Sequence, residues 1–469
     1  MAVSVIEQKP LHNPLPVGQE IIFVVSNDTA VANETKVKFC VDIHISSTGV
    51  PNLATTNDLI GTFKTTPNDA GVGIFDLTNT VSNYVKADHL CATNAQYKTL
   101  TASSGKLFPL HLIDKYSLSD NAVRYMAARF YVEYLQNGVV TANPNTEVDS
   151  ADFSIFNGYL KYTDVLDLVA PDFGFDMANF FASTSYDARY LTNAPTTQYA
   201  NSGDYGTLAF LAPTNTVANK VNRITIDYLD SAGSAVATKD SITKSNTNGA
   251  YSTYTANIDK KIVYFGCFPG NLENWSTNYA TAVATGNLSH YQINAHTGVP
   301  GIGTQSLQTI TIYVNCPDLK NYEPIRLCWL NQWGTWDYYT FTKKSIRTTN
   351  TRGTTYTQLG GTWNKSRYTI DSYKGGKKSF RMNATESIRI NTDFVSEDHN
   401  TMFEEMINSP EVYMLDKYTT EGTVKALNQY VTPVRITSTS FQKKTRANDN
   451  LIQYTFEIEK SKTLRTQSI

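Results

Sequence analysis

Val37, Phe39, Val41, Ile43 and Ile45 alternate with Lys36, Lys38, Cys40, Asp42 and His44. Successive residues of a strand point to opposite sides, so this alternation fits a strand with one face in a core. A helix would scatter the same five apolar groups around its axis. The period returns near the other end of the chain, where Ile452, Tyr454, Phe456 and Ile458 alternate with Gln453, Thr455, Glu457 and Glu459. A chain patterned this way at both ends has to be built chiefly from sheets.

Other segments agree. An apolar run over 20–25 stops at the turn-prone Ser26-Asn27-Asp28. Asn137-Gly138 follows the run 130–135, and Asn157-Gly158 separates 153–156 from 159–162. Asn-Gly takes positive φ readily, so both sites predict two-residue hairpin turns. The stretch 122–135 has enough alanine for a helix, but Tyr125, Phe130, Tyr131, Val132 and Tyr134 favour a strand. Further strands are expected at 223–229, 235–238, 261–267 and 309–314. Two more, 325–330 and 336–343, flank the turn 331–335, and a closing hairpin joins 434–441 to 451–459. The Asn-, Thr-, Gly- and Ala-rich stretch 271–303 reads as a long loop with at most one short helix. Residues 401–408 read as a short helix with Phe403, Met406 and Ile407 on one face, ended by Pro410.

The expected fold is mainly β: several β-sandwich or β-barrel-like domains in series with few short helices. The 469 residues suggest about three domains. A loose stretch over 170–200 sets the first boundary, giving 1–168, a middle β domain with long loops at 169–320, and a C-terminal β domain with one short helix at 321–469.

Charge narrows the function. Lys and Arg number 40 against 42 Asp and Glu, a net charge of −2. That balance shows no basic excess of the kind nucleic acid or a membrane surface attracts. No apolar stretch approaches 18 residues, so no membrane span is expected. The five cysteines are far apart and form no C-x-x-C, which predicts free buried thiols rather than disulfides or a zinc site. The first ten residues lack the basic start and apolar run of a signal peptide, so synthesis in a reducing cytosol is expected.

Motifs for catalysis are missing. Lys374-Gly375-Gly376-Lys377-Lys378-Ser379 has the flavour of a phosphate loop, but Asp371 stands where its first glycine belongs, and a basic loop is the plainer reading. Asp42 and His44, two apart on one strand face, could bind a metal; the wet face of an edge strand explains them more simply. Glu404 and Glu405 read as the solvated side of their helix. Asp337 lies among Trp333, Trp336, Tyr338 and Tyr339, the setting of an acid in a sugar-cleaving site, but no partner acid can be named. The aromatics Trp329, Trp333, Trp336, Tyr338 and Tyr339 are expected to serve packing or an interface. No catalytic residue, cofactor or metal is assigned.

The segment Cys328-Trp329-Leu330-Asn331-Gln332-Trp333-Gly334-Thr335-Trp336-Asp337-Tyr338-Tyr339-Thr340-Phe341 resembles a "W-L-N-x-x-G-x-W-D-Y-[FY]-T-F" stretch of phage structural proteins. Residues 403–413 resemble a companion "F-x-x-L-x-x-S-P-E-V-Y" segment. The ending 433–459 resembles their closing hairpin, and Phe23 to Asp28 the start of their first domain. Together these segments are similar to tail, ring or hub proteins of short-tailed bacteriophages, including the crAss-like group. The resemblance covers chiefly 325–460, with a weaker echo in 20–165. It implies a non-catalytic virion protein of the tail or connector, made in the bacterial host cytoplasm. Its expected partners are copies of itself in a cyclic ring, and other tail, portal or connector proteins. DNA would at most pass through the channel, past a neutral or mildly acidic lining. A receptor- or glycan-binding tail adhesin is the alternative.

Overall fold

The computed structural model describes residues 2–11, 13–161, 177, 180, 188–212, 221–243, 261–297, 304–305, 307–315, 322–416, 430–438, 440–444 and 452–463. Strands take 47% of the structure and helices 11%, in several separate sheets, so the chain is a mainly β protein. It divides into two compact units: Met1–Asn315 with Leu330–Asp337, and Cys316–Trp329 with Tyr338–Ile469. The boundaries expected at 168/169 and 320/321 both lie outside the described residues. One strand helps explain why the first 315 residues cluster together. Tyr116–Leu118 pairs antiparallel with Ile262–Gly266, so a segment from the first third completes a sheet of the second third.

In the first unit, the strand foreseen at 36–45 runs Thr35–Ser46. It lies between Val123–Gln136 and Leu59–Thr65 in a six-stranded sheet. The ambiguous stretch 122–135 is a 14-residue strand, Val123–Gln136. It turns back into Val139–Asp149 through Asn137 (φ 52) and Gly138 (φ 83), the two positive φ values that the hairpin turn demands. A three-stranded sheet of Val5–Gln8, Ile22–Ser26 and Val72–Asp76 shares its core. Phe130 meets Phe23 at 5.4 Å and Phe75 at 5.7 Å between ring centroids. Each such buried ring is worth about 1.5–3 kcal/mol.

Asn157-Gly158 makes no hairpin. Phe153–Phe156 pairs with Val123–Met126 on one side and with Leu15–Pro16 on the other. The backbone of Asn157, Gly158 and Tyr159 then bonds to Ala122, Gly18 and Gln332. Neither Asn157 nor Gly158 takes positive φ. Long-range partners have claimed the backbone groups a local turn would use.

A second six-stranded sheet contains Thr197–Asn201, Ile310–Asn315, His290–Thr297, Val221–Leu229 and Asp240–Thr243, with Thr304–Gln305 at its side. At 235–238 only Ala235 forms a bridge, to Leu229; the strand itself lies at Asp240–Thr243. The loop expected at 271–303 is more regular than its composition implies. It contains helix Thr277–Ala284 and the strand His290–Thr297, and helix Pro269–Glu273 overlaps its start. Tyr291, Ile293 and Ala295 are buried, with Tyr291 against Tyr228 and Tyr279. Residues 298–303 lie outside the described residues.

The second unit is organised on a seven-stranded sheet in the order Trp336–Phe341, Ile325–Leu330, Val412–Leu415, Val431–Ile436, Thr455–Lys460, Gly376–Asn391, Ile346–Gln358. Helix His399–Asn408 sets Phe403 against Tyr339, Tyr454 and Phe456 at 5.0–5.6 Å. The closing strands pair as Arg435↔Glu459 and Ile436↔Ile458. Ile452, Tyr454, Phe456 and Ile458 are buried, as their alternation requires. Residues 445–451, between the two arms of the expected closing hairpin, lie outside the described residues.

Candidate interaction site

The aromatic hairpin turns out to be interior. Trp329, Trp333, Trp336 and Tyr338 are buried and Tyr339 is half-buried. Within the first unit, Trp333 stacks near Phe180 at 4.3 Å. Trp336 donates its Nε1–H to the Asp88 carbonyl at 2.9 Å and meets His111 edge-on at 5.2 Å. The turn is held by Asn331, whose side chain accepts from the backbone N–H of Trp333 and Thr335 and donates to the Leu191 carbonyl. Within the second unit, the Arg326 guanidinium sits 5.2 Å from the Tyr338 ring and donates to Thr340 at 2.8 Å. Tyr339 packs on Phe341 at 4.9 Å. These residues hold the fold together, and none presents a broad face to solvent.

The acids weighed beside them are placed differently from expectation. Asp337 is buried and accepts from the Thr192 hydroxyl; burial pushes its carboxyl up to about 6. His44 is not on a wet edge. Its strand is central, both neighbours cover it, and burial lowers the pKa of its ring. Asp42 accepts hydrogen bonds from Thr62 and Tyr131 on adjacent strands. Glu404 pairs with Lys443 at 2.8 Å, whereas Glu405 is buried rather than solvated. Among the described residues no group of three or more His, Cys, Asp or Glu side chains is placed to hold a metal ion. No helix among them is long and apolar enough to cross a membrane.

The exposed chemistry lies elsewhere, in a segment that the sequence patterns passed over. Ile346–Gln358 and Gly376–Asn391 form one long antiparallel ladder, from Ile346↔Arg389 out to Gln358↔Gly376. Thr455–Lys460 supports the second of these strands only over Ser387–Asn391. Among the described residues the two strands beyond Ser387 pair only with each other, for about 30 Å at 3.4 Å per residue. The segment 349–386 is therefore a two-stranded arm with no further strand on either edge among the described residues. Its root is clamped by ion pairs: Arg347 with Glu323 and Glu386, and Lys460 with Glu386.

Local chemistry explains the tip. Gly375 (φ 98) and Gly376 (φ 75) turn the chain, and Gly375 passes so close to Gly360 that an added Cβ would lie 3.0 Å from its Cα. A short second ladder then closes the end. Thr362 N–H donates to the Thr369 carbonyl, and Gly361 bridges Ile370. The tip exposes Trp363 (85%), Ile370 (79%) and Tyr373 (72%), with Leu359 and Tyr368 beside them. Along the shaft, Phe380 and Met382 are exposed, and Phe380 meets Tyr356 edge-on at 6.3 Å.

Charge is concentrated here too. The arm, 349–386, holds seven Lys and Arg against two acids, Asp371 and the root's Glu386, leaving 33 basic against 40 acidic residues in the rest of the chain. Asp371 is itself paired with Lys374 at 2.8 Å. Lys374 to Lys378, a basic loop by its sequence, forms the turn and start of the arm's second strand.

Comparison with known proteins adds little. No family model and no curated protein matches the chain. Among solved structures it is similar to the native conformation of E. coli alpha-2-macroglobulin, with 9% identity and a TM-score of 0.17. It is also similar to Salmonella alpha-2-macroglobulin reacted with methylamine, with 10% identity and a TM-score of 0.19. All of this chain aligns with 32% and 30% of those chains, so it spans about a third of their length. At such TM-scores the likeness carries no argument.

Proposed function

We propose that this chain is a structural assembly protein, a component of the tail or connector of a short-tailed phage, as its sequence resemblance implies. The observation that carries the reading is the apolar tip of the arm. Trp363, Ile370 and Tyr373 are more than two thirds exposed on a ribbon that buries almost nothing of its own. Apolar groups clustered in solvent mark a surface made for a partner, and Trp and Tyr are the usual anchors of protein contacts. A ring subunit needs such a feature, because each copy must reach the next through a head-to-tail contact that closes. In this reading the buried aromatics stiffen the body, and the arm makes the contact.

Native mass spectrometry of the purified full chain, with negative-stain imaging, tests the proposal. A closed ring whose mass falls to monomer in the double variant Trp363→Ser, Ile370→Ser supports it. A monodisperse monomer that stays monomeric on an isolated portal complex refutes it. The alternative is an adhesin. The exposed Trp363, Tyr368 and Tyr373 rings favour it in one respect, since flat aromatic faces also stack on sugars. A stable elongated trimer that binds bacterial cells or glycans would establish that reading instead.

A further inference from the structure

The arm's shaft differs from its tip. Residues paired across a ladder share a face, so Arg352 with Asn383, Thr354 with Arg381, and Tyr356 with Lys378 line one side. Phe380, at the irregularity between Thr354 and Thr355, joins that side through its contact with Tyr356. The result is a stripe of Arg352, Arg381 and Lys378 interleaved with two aromatic rings, whereas Lys377 pairs with Thr357 and belongs to the other face. Arg352, Lys377 and Arg381 are exposed, and Lys378 is partly so. Among the described residues none of these four cations is ion-paired, although the root and the tip of the same arm are.

Protection of an open edge does not account for this. Charged side chains do keep exposed strands from adding to one another, but either sign serves that purpose. Here the shaft holds one sign only, and like charges on adjacent positions destabilise the ribbon that carries them. A polyanion laid along the stripe would remove that repulsion. Protein interfaces deplete Lys but enrich Arg and aromatic rings, so it is the run of same-sign cations without ion pairs, and not the rings, that favours a polyanion. Spaced cations with exposed rings between them match a sugar–phosphate chain, whose charges repeat and whose bases offer flat faces. A two-stranded ribbon is also a shape that a duplex groove admits.

We infer that the shaft of the arm is a nucleic-acid site that grips the sugar–phosphate backbone without reading sequence, through Arg352, Arg381 and Lys378. This goes beyond the assembly role, which rests on the tip. The chain's net charge of −2 hides the site because the excess is local.

Fluorescence anisotropy of a labelled mixed-sequence DNA duplex, titrated with the full chain at several salt concentrations, is the test. Three phosphate contacts predict a slope of log Kobs against log[salt] near −2.7, or about 40-fold weaker binding between 50 and 200 mM salt. In the variant Arg352→Gln, Arg381→Gln the slope should fall to about −0.9, while Arg352→Lys, Arg381→Lys should keep it. All three proteins should unfold at the same temperature, since both arginines are exposed. The inference is overturned by absent binding, by a slope unchanged in the glutamine variant, or by poly-glutamate competing as well as DNA at equal charge. Native mass spectrometry of the glutamine variant keeps this separate from the assembly reading. Loss of DNA binding with the oligomer intact is expected; loss of the oligomer as well would mean that the stripe serves protein contact.

Discussion

The turn at Asn331–Thr335 offers a test of how the first unit is held together. Gly334 has φ 74, and a Cβ added there would lie 2.1 Å from the Asn157 carbonyl oxygen and 2.9 Å from its carbon. Gly138 has a similar φ of 83, with nothing within 4 Å of its added Cβ. Alanine at either position meets the left-handed penalty of about 1–2 kcal/mol. Only Gly334→Ala also collides. Relief requires moving Asn157 by about 1 Å, and its neighbours resist. Asn157 N–H bonds to the Ala122 carbonyl, Gly158 O accepts from Gly18, and Tyr159 N–H donates to Gln332. Loosening two or three such bonds, at about 1 kcal/mol each, brings the total to about 3–5 kcal/mol. With about 2 °C lost per kcal/mol in a domain of this size, Gly138→Ala should lower the midpoint of the unit's thermal unfolding by about 2–4 °C. Gly334→Ala should lower it by about 6–10 °C. Equal shifts would refute the reasoning, since they would mean that the turn does not rest on Asn157.

Two further outcomes follow from burial. Asp337, with its carboxyl raised to about 6, keeps its proton in the folded chain where the unfolded chain has released it. That stability is complete below the ordinary aspartate value near 4 and is lost as pH rises through about 6, at most about 3 kcal/mol in all. Asp337→Asn should therefore flatten the fall in unfolding temperature between pH 5 and pH 7.5, and an unchanged slope would contradict the placement. It should not abolish the slope, because burial also raises Asp114, to about 7. Cys40, Cys91, Cys267 and Cys328 are buried, and burial pushes the Cys40 thiol up to about 12 and the Cys91 thiol up to about 11. All four should stay unmodified by an alkylating agent in the native chain and react after denaturation, as read by peptide mapping; native labelling of any of them would show that its burial is wrong.

Period-2 alternation proved legible where apolar residues dominate the buried positions of a strand. Thr35–Ser46 and the run from Ile452 to Ile458 place their apolar residues inside, and Asn137-Gly138 forms the turn its composition demands. Tyr291, Ile293 and Ala295 carried the same signal, but the surrounding Asn and Thr masked it. Asn157-Gly158 shows the opposite failure: a sound local signal overridden by partners far away in sequence. Asp42 and His44 were misplaced for a related reason. Alternation tells which residues share a face, but it cannot tell whether a strand is central or whether its second face is also covered.

The arm was illegible for a deeper reason, and the same reason makes it the best candidate for function. Burial writes periodicity into sequence, and Ile346–Gln358 buries nothing, so its Thr, Asn and Arg residues follow no apolar rhythm. A search guided by hydrophobic pattern goes instead to Trp329–Tyr339, where the aromatics are dense because they pack. Dense aromatics in a patterned segment thus point to a core, while Trp363, Tyr373 and Phe380, scattered among Lys, Arg and Thr, point to a surface held open for contact. The physical trace such a segment leaves is a local imbalance of charge, seven to two within 349–386, in a chain that is nearly neutral as a whole. An isolated two-stranded ribbon is only marginally stable in water. One that is kept long, apolar at its end and uncompensated in charge has a cost in the free chain that a bound partner would offset.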